Sequence, residues 1–423
     1  MRTFLFGLIL AACGNSPDPH MIAGGGVGDG AIDGTVNVYV IDSDTYEPIR
    51  DATVEIGSRD AQTDSTGLVV LGDVSGPQTV AVNATGYRGV VWQDVNGANL
   101  TIPVQKLGNL TAQQATLTGT VAAWDTVTVP AGHAKAAIVG YSQTDDFGDP
   151  ANNLVTPSSG NVCFGNPSVC NFSIVTRTGA VTLTAAVVDI DPHGNLDPAD
   201  DTYTIIGWAT GPSVQVNAGV NQTGLVLTQL DAGKLQTVTI DYGTPPDALP
   251  QRASIVGIEI SSDEVLQLPV YPLGATSALI PALDSFPGAT YRLTAVAQTT
   301  ATDGPTSVVI QRGQTAATLM AAKWLTTPVD VSATRTSASL SAVAGAKLHS
   351  VEYSDATGIL LTITMFDAKK LATTVPALVA LPADGELTVK AQGIGADIDL
   401  QNFSLDTDEP LLWGAATQPA TID

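Results

Sequence analysis

The chain has 423 residues and a formal net charge of −24, with 41 acidic and 17 basic side chains. A chain so poor in Lys and Arg lacks the clustered cations that phosphate binding needs, which excludes a general nucleic-acid-binding protein. The 44% hydrophobic content excludes a wholly disordered chain, and 41 Gly with 25 Pro exclude long helical bundles and coiled coils. Length and composition predict several domains of about 100 residues each.

The first residues have the form of a secretory signal. Arg2 supplies a positive charge and an apolar run follows over residues 4–12, shorter than the roughly 20 residues of a membrane-spanning helix. Residues 10–13, Leu-Ala-Ala-Cys, resemble the lipobox of lipoprotein precursors. The resemblance implies a signal peptide over residues 1–12 and acyl chains on Cys13, which would bind a membrane. The open alternative is an ordinary signal peptide with an incidental or buried cysteine.

The residues after Cys13 extend this interpretation. In the lipoproteins that the motif resembles, Asp at the next position favours the inner membrane, and Gly14 therefore favours the outer membrane of a diderm bacterium. Residues 13–34 are rich in Gly, Pro and Asp, a composition that predicts a flexible tether. We expect a location in the cell envelope, at the outer membrane or the cell surface.

The other two cysteines fit an oxidising compartment. Cys163 and Cys170 flank the turn-forming sequence Gly-Asn-Pro-Ser within residues 163–170. Two cysteines flanking a turn form a disulfide readily outside the cytoplasm, and this local link would contribute about 2–3 kcal/mol. Metal binding is the alternative, although no His or second Cys pair lies nearby to complete a zinc set.

The body of the chain predicts an all-β protein. Alternating apolar and polar residues occur at 35–41 and 237–242, and again over 351–365, where Asp355 to Gly358 predict a hairpin turn. Few windows carry a helical pattern. Short strands separated by Gly, Pro, Asn and Asp clusters are typical of tandem β-sandwiches.

A repeat sets the number of modules. A strand, a short turn ending in glycine and a second strand recur at intervals of about 100 residues, the size of one sandwich. The turn glycines are Gly76, Gly179, Gly288 and Gly385. The strands before them are predicted at residues 68–71, 172–175, 278–281 and 378–381. We predict sandwiches over 35–107, 108–235, 236–330 and 331–423, the last three immunoglobulin-like in type.

The first module resembles a known domain family. Gly-Thr-Val-x-Val at 34–38, Pro-Ile-x-Asp-Ala-Thr-Val at 48–54, Thr-Asp-Ser-Thr-Gly at 63–67 and Gly-Tyr at 86–87 resemble the carboxypeptidase regulatory-like domain. The resemblance implies a transthyretin-like sandwich of seven strands that serves as a non-catalytic accessory domain. It covers about 70 residues.

One acidic segment is a candidate metal site. Oxygen-bearing side chains alternate around a glycine bend in residues 189–201 and resemble a calcium loop. The candidate ligands are Asp189, Asp191, Asn195, Asp197 and Asp200. His193 and Asp200 depart from the usual ligands, two prolines restrict the backbone, and no flanking helices are evident. The alternative is a solvated acidic loop between two strands. No other cofactor is predicted.

Catalytic motifs are largely absent from the sequence, although the plentiful carboxylates leave the acid pair of a glycosidase as an open alternative. The four His do not pair at a metal-ligand spacing, and neither a G-x-S-x-G elbow nor a phosphate-binding glycine loop occurs. The five Trp are spread along the chain, which favours core positions over a sugar-binding platform. We therefore expect a non-enzymatic, lipid-anchored envelope protein with structural, adhesive or partner-binding roles. The alternative is a carbohydrate-binding accessory lipoprotein of an uptake or degradation system. The partner, protein or glycan, is not identified by the sequence.

Overall fold

The computed structural model describes residues 25–43, 45–107, 114–143, 160–165, 167–195, 197, 200–261, 264–301, 304–396, 399–404 and 412–422. The predicted signal peptide, Cys13 and the first part of the tether lie outside these residues. The described part contains 30 strands and only three-residue 3-10 helices. It is therefore an all-β protein of several sandwiches, as the alternation predicts.

The strands fall into four consecutive groups, called modules 1 to 4 after the predicted sandwiches. Module 1 contains β1 to β8, at Gly26–Gly28, Asp33–Asp42, Thr53–Ile56, Arg59–Gln62, Leu68–Ser75, Gln78–Asn83, Gly89–Val95 and Asn99–Val104. Module 2 contains β9 to β15, at Gln114–Val121, Ala134–Tyr141, Val162–Phe164, Cys170–Arg177, Gly179–Asp191, Thr202–Val216 and Gln222–Gln229. Module 3 contains β16 to β22, at Leu235–Asp241, Gln251–Ser261, Glu264–Pro269, Ser277–Pro281, Thr290–Gln298, Thr306–Gln314 and Thr318–Met320. Module 4 contains β23 to β30, at Ser332–Ala333, Ser337–Ser339, Leu348–Asp355, Gly358–Met365, Ala372–Thr374, Leu387–Ala396, Phe403–Ser404 and Leu412–Ile422.

One sheet runs through three of the modules. Its twelve strands have the order β18-β17-β20-β21-β30-β28-β25-β26-β7-β6-β3-β4. Strand β30 of module 4 pairs with β21 of module 3, and β26 of module 4 pairs in parallel with β7 of module 1. The modules are therefore not structurally independent, because the strands of module 4 lie between those of modules 3 and 1 in this sheet.

The remaining sheets complete the sandwiches. In module 1 the second sheet has the order β29-β1-β8-β2-β5, so a strand of module 4 reaches it as well. Module 2 has one seven-stranded sheet with the order β11-β10-β13-β14-β15-β9-β12. Modules 3 and 4 each add a three-stranded sheet, β19-β16-β22 and β23-β24-β27.

The hydrophobic cores also cross module boundaries. The core of module 1 lies within residues 27–104, and one core of module 2 within 115–227. A second core joins Trp208 and residues of β13 in module 2 to β17, β18 and β20 of module 3. The core of module 4 includes Ala81 and Val91 of module 1. Burial of apolar surface therefore stabilises the module contacts as well as each module.

The repeat identifies turns correctly but not their pairing. All four turn glycines have positive φ, between 68° and 101°, a conformation that suits a residue without a Cβ. Strands flank the first three glycines as predicted, whereas residues 377–379 before Gly385 form a 3-10 helix instead of a strand. The two strands of each repeat lie apart in the sheets rather than forming a hairpin, as β5 and β6 illustrate. The repeat unit in module 1 is a crossover between the two sheets of the sandwich.

The predicted tether is shorter than its composition indicates. Gly26–Gly28 pair with β8 on one side and with β29 on the other, and Val27 is fully buried. Glycine permits the close approach, since a Cβ on Gly97 would lie 2.5 Å from the Val27 side chain. Residues 26–34 therefore belong to the folded part, which corrects the end of the predicted tether at residue 34.

Candidate functional site

The predicted calcium loop connects β13 to β14 in module 2. Register pairs Ile190 with Tyr203 and Asp191 with Thr202, which confirms that the segment closes a hairpin. Asp189 and Asp191 end β13, and Asn195, Asp197 and Asp200 follow in the connection. His193 and Gly194 have positive φ, and the Asp191 carboxylate accepts a hydrogen bond from the His193 N–H at 2.9 Å. The acidic residues therefore build the turn itself.

Three of the candidate ligand residues are hydrogen-bonded to one another. The Asn195 amide donates to Asp200 Oδ2 at 2.9 Å, and its oxygen accepts from the Asp197 N–H at 2.6 Å. Among the described residues, no three His, Cys, Asp or Glu side chains are arranged to hold a metal ion. Calcium binding by this loop stays a prediction, and it would require these side chains to leave their present partners.

The structure adds a histidine that the sequence does not link to this loop. His133 Nδ1 lies 3.0 Å from Asp189 Oδ1, and its Nε2 lies 3.7 Å from Asp191 Oδ1. His193 Nδ1 lies 3.4 Å from Asp191 Oδ2, and its Nε2 lies 3.0 Å from the Thr202 hydroxyl. Each imidazole can form an ion pair with these carboxylates only when it is protonated. The cluster joins the segment before β10 to the hairpin, 56 positions further along the chain.

The two predicted disulfide partners are brought together as thiols. Both are buried, and the two side chains lie within hydrogen-bonding reach of each other. Burial raises the pKa of both thiols, and the neighbouring Cys163 thiol raises the pKa of Cys170 further. They lie on β11 and β12, the two outer strands of the seven-stranded sheet. The disulfide itself stays a prediction; if it forms, it links those two edges rather than one local hairpin.

A buried lysine lies near these cysteines. The Lys135 ammonium donates to the carbonyls of Trp124 and Val127 at 2.7 and 2.8 Å and lies 4.9 Å from the centre of the Trp124 ring. Its positive charge partly opposes the rise in the thiol pKa values. Two carbonyl oxygens and the face of an aromatic ring stabilise the buried ammonium charge, so Lys135 has a structural role beside the module 2 core.

The buried carboxylates act in structural contacts. Asp42 accepts hydrogen bonds from the Tyr87 hydroxyl at 3.0 Å and the Lys106 ammonium at 2.9 Å, which joins three parts of module 1. Glu259 pairs with Arg312 at 2.7 Å within the sheet of module 3. Each of these two carboxylates is paired with a cation, an arrangement that suits structural ion pairs rather than a pair of catalytic acids in a cleft.

Glu264 joins module 3 to module 2. Its Oε1 accepts hydrogen bonds from the hydroxyls of Thr182, Ser142 and Ser213 at 3.0, 3.2 and 3.3 Å. Beside it, Gln143 and Val265 exchange two backbone hydrogen bonds of 2.8 Å. All three hydroxyls belong to module 2, so this carboxylate oxygen adds a polar contact to the backbone pairing and the shared core that join these modules.

The tryptophans lie in the cores. Trp92, Trp124 and Trp208 are buried, and Trp324 packs against the shared core of modules 2 and 3 with its N–H donated to the Tyr242 carbonyl. The side chain of Trp413 lies outside the described residues. These four positions confirm the predicted core role and leave no described Trp as a sugar-stacking surface.

A polar groove of about 710 Å³ lies between modules 1 and 4. Its walls carry hydroxyl and amide groups, one carboxylate and no aromatic ring. The lining residues are Glu55, Gly57, Thr79, Ala81 and Gln93 of module 1, and Ser332, Ser337, Ala338, Ser339, Ala372, Thr373, Thr374 and Pro376 of module 4.

Within the described residues, no helix is both long and apolar enough to cross a membrane.

Comparison with known proteins gives no family. No family model matches the chain, including the regulatory-like domain that residues 35–107 resemble, and no curated protein matches it. A solved structure of the Bacillus anthracis TIE protein is similar over 62% of this chain and 44% of its own length, at 13% identity and TM-score 0.15. The chain thus spans less than half of that protein.

Two further solved structures are similar over most of their own length. The shaft pilin SpaA from Lactobacillus rhamnosus GG covers 47% of this chain and 98% of its own, at 11% identity and TM-score 0.14. Two B repeat units of the collagen-binding protein of Staphylococcus aureus cover 88% of this chain and 97% of their own, at 10% identity and TM-score 0.13. At these identities and TM-scores the likenesses carry no argument about function.

Proposed function

We propose that this protein is a non-enzymatic, lipid-anchored component of the cell envelope that presents a rigid set of β-sandwiches to a partner. The observation that carries the proposal is the joining of modules. Strand pairing joins modules 1, 4 and 3 in one sheet, and the Glu264 contact with the shared core joins module 3 to module 2. Such joints suit a protein that holds surfaces in fixed positions, as structural and adhesive proteins do.

The anchor is supported by the lipobox resemblance of residues 10–13 and the Gly-rich segment that follows. We expect metabolic labelling with a fatty-acid analogue to mark the parent protein and not the Cys13→Ala variant. Cys163→Ala is the matched control and keeps its label. Equal labelling of the parent and Cys13→Ala would remove the anchor from the proposal, while leaving the scaffold role untouched.

The scaffold role is supported over the carbohydrate-binding alternative by the buried tryptophans and by the absence of aromatic rings from the described groove. Protein crosslinking on intact cells, followed by identification of the linked species, tests this preference. A linked protein that depends on the folded modules supports it. Recovery of glycan alone, retained by the purified protein, would favour the accessory carbohydrate-binding role.

Two finer assignments belong to the same proposal. We propose that module 1 is a regulatory-like accessory domain, which its seven strands β2 to β8 and the packing of Tyr87 against its core support. Calcium binding at the β13–β14 loop is tested by calorimetry, with Asp189→Ala and Asp191→Ala as variants. If titration of the parent protein with calcium gives no heat of binding, the loop does not bind calcium.

A further inference from the structure

The polar groove between modules 1 and 4 has a fixed shape. Residues of β3, β6 and β7 line it on one side, and residues of the small sheet β23-β24-β27 line it on the other. The pairing of β7 with β26 and the 2.8 Å hydrogen bond from Asn83 to the Leu378 carbonyl hold the two sides together. A ligand therefore meets a groove that is already formed, which removes the cost of ordering it.

Strand β27 has one edge without a partner strand. Among the described strands it pairs with β24 alone. Leu371 and Val375, at the two ends of β27, form backbone hydrogen bonds with the residues that flank β24. Alternate residues of an antiparallel strand direct their backbone groups to opposite sides. The backbone groups of Ala372 and Thr374 therefore point away from β24.

The Gln93 side chain shows that this edge faces the groove. Its amide donates to the carbonyls of Lys370 and Ala372 at 3.1 and 3.2 Å, and Gln93 itself lines the groove. An amide of module 1 thus already bonds to one end of the edge, as the N–H of a neighbouring strand would. Thr374 lies further along the edge, lines the groove and is exposed. These backbone groups are of the kind that a second extended backbone satisfies.

The side chains of the groove leave room for a strand and favour a positive charge. Most lining residues are Ser, Thr or Ala, whose side chains are small. Glu55 is the one charged residue among them, and its carboxylate has no hydrogen-bond or ion-pair partner among the described residues. An unpaired carboxylate in a groove without a cation is complementary to a basic ligand.

We propose that the polar groove binds an extended, basic segment of a partner protein, which adds a strand to the edge of β27 and places a lysine or arginine against Glu55. This inference rests on the proposed function and names the surface and the chemistry of the partner. Backbone hydrogen bonds supply the affinity, and the carboxylate supplies the selectivity. Because the edge is short, we expect a Kd on the order of 0.1 mM for a peptide.

Equilibrium dialysis of the full chain against peptide pools tests the proposal. Three pools of acetylated, amidated heptapeptides carry Thr or Val at every position except the central one, which is Lys, Gln or Glu. The protein is dialysed in about 0.15 M salt, which screens the long-range attraction of its net charge. Mass spectrometry then measures each pool on both sides of the membrane. We expect the Lys pool to bind about fivefold more tightly than the Gln pool, and the Glu pool more weakly than either.

Two variants identify the groove as the binding surface. Glu55→Gln keeps the side-chain volume and removes the charge, so the Lys and Gln pools should bind equally. Thr374→Pro removes an N–H that points away from β24 and leaves the pairing with β24 in place. Every pool should then bind about tenfold more weakly. Glu47→Gln removes an exposed carboxylate of module 1 outside the groove and is the matched control, with binding unchanged.

Peptides N-methylated at alternate residues test the same hydrogen bonds without changing the protein, and they should bind as weakly as the parent peptides bind to Thr374→Pro. A parent protein that retains none of the pools would overturn the inference. A preference for Lys that survives Glu55→Gln would overturn it, and so would full binding of N-methylated peptides. Retention of a neutral oligosaccharide, such as maltoheptaose, by a protein that binds no peptide would assign the groove to a glycan instead. A partner protein that is still crosslinked on intact cells after any of these results would show that the proposed function holds and that this inference alone fails.

Discussion

Replacing Glu264 by alanine tests the contact between modules 2 and 3. The carboxylate is buried and accepts three hydroxyl hydrogen bonds on one oxygen. A hydrogen bond to a charged group contributes about 1.5–3 kcal/mol, and the loss of a buried charge's partner costs about 3–5 kcal/mol. Here the acceptor itself is removed, and three hydroxyls lose the oxygen that they share. We expect Glu264→Ala to lower the free energy of unfolding by about 3–4 kcal/mol.

Two further variants separate charge from shape. Glu264→Gln keeps the side-chain volume and one acceptor oxygen but loses the charge, so we expect a cost of about 1–2 kcal/mol. Glu386→Ala removes an exposed carboxylate and is the matched control, with a change within about 0.5 kcal/mol.

The assay is equilibrium unfolding in urea, followed by the combined tryptophan fluorescence, to which Trp124 and Trp208 of module 2 and Trp324 of module 3 all contribute. Local loss of the contact also predicts that the module 2 transition separates from that of module 3. A Glu264→Ala variant that unfolds at the parent's urea midpoint, in a single transition, would refute the argument that this carboxylate stabilises the contact between the two modules.

Further variants test other contacts. Burial lowers the pKa of His349 in the folded protein, so the unfolded chain binds the proton more readily. The free energy of unfolding therefore falls as the pH drops below about 6.5. We expect His349→Leu to flatten the dependence of stability on pH between pH 7 and 5, and an unchanged slope would contradict this. Tyr87→Phe removes the hydroxyl donated to Asp42 and should cost about 1.5–3 kcal/mol in urea unfolding, whereas Tyr203→Phe, at an exposed ring, should be near neutral. Thiol titration without reductant should find Cys163 and Cys170 unreactive after denaturation, and Cys163→Ser should cost about 2–3 kcal/mol; two titratable thiols in the parent would exclude the disulfide.

The sequence predicts elements whose signals are local. The turn glycines Gly76, Gly179, Gly288 and Gly385 are found because positive φ favours glycine, and the hairpin at Asp355 to Gly358 because Asp355 and Thr357 stabilise a turn. The core tryptophans follow from composition and spacing. These features depend on neighbours within a few positions, which one sequence displays.

The missed features depend on residues that are far apart in the chain. The parallel pairing of β7 with β26 has no signature in either strand, because any apolar strand edge could accept it. His133 reaches Asp189 only because β10 and β13 are adjacent in the sheet. Strand β1 is concealed in a Gly-rich segment whose only strand-forming residue is Val27. Residues 377–379 have a strand-like composition, yet they form a 3-10 helix that contacts β6 of module 1.

The candidate site shows the same division. The acidic residues of the β13–β14 loop are visible in the sequence, and their position in a hairpin connection is correct. The sequence does not reveal that the Asn195 amide donates a hydrogen bond to Asp200, or that the His133 imidazole contacts the Asp189 carboxylate. Spacing identifies potential ligands, whereas side-chain hydrogen bonds decide which of them are available.

Hydrogen exchange of strand β7 tests the central claim most directly, namely that modules 1 and 4 share one sheet. If β26 covers β7, amides on both sides of residues 89–93 exchange slowly, as in β6. The reference is the outer strand β4 at Arg59–Gln62, whose uncovered amides exchange fast. Alternate β7 amides that exchange as fast as those of β4 would contradict the claim and restore a string of separate sandwiches.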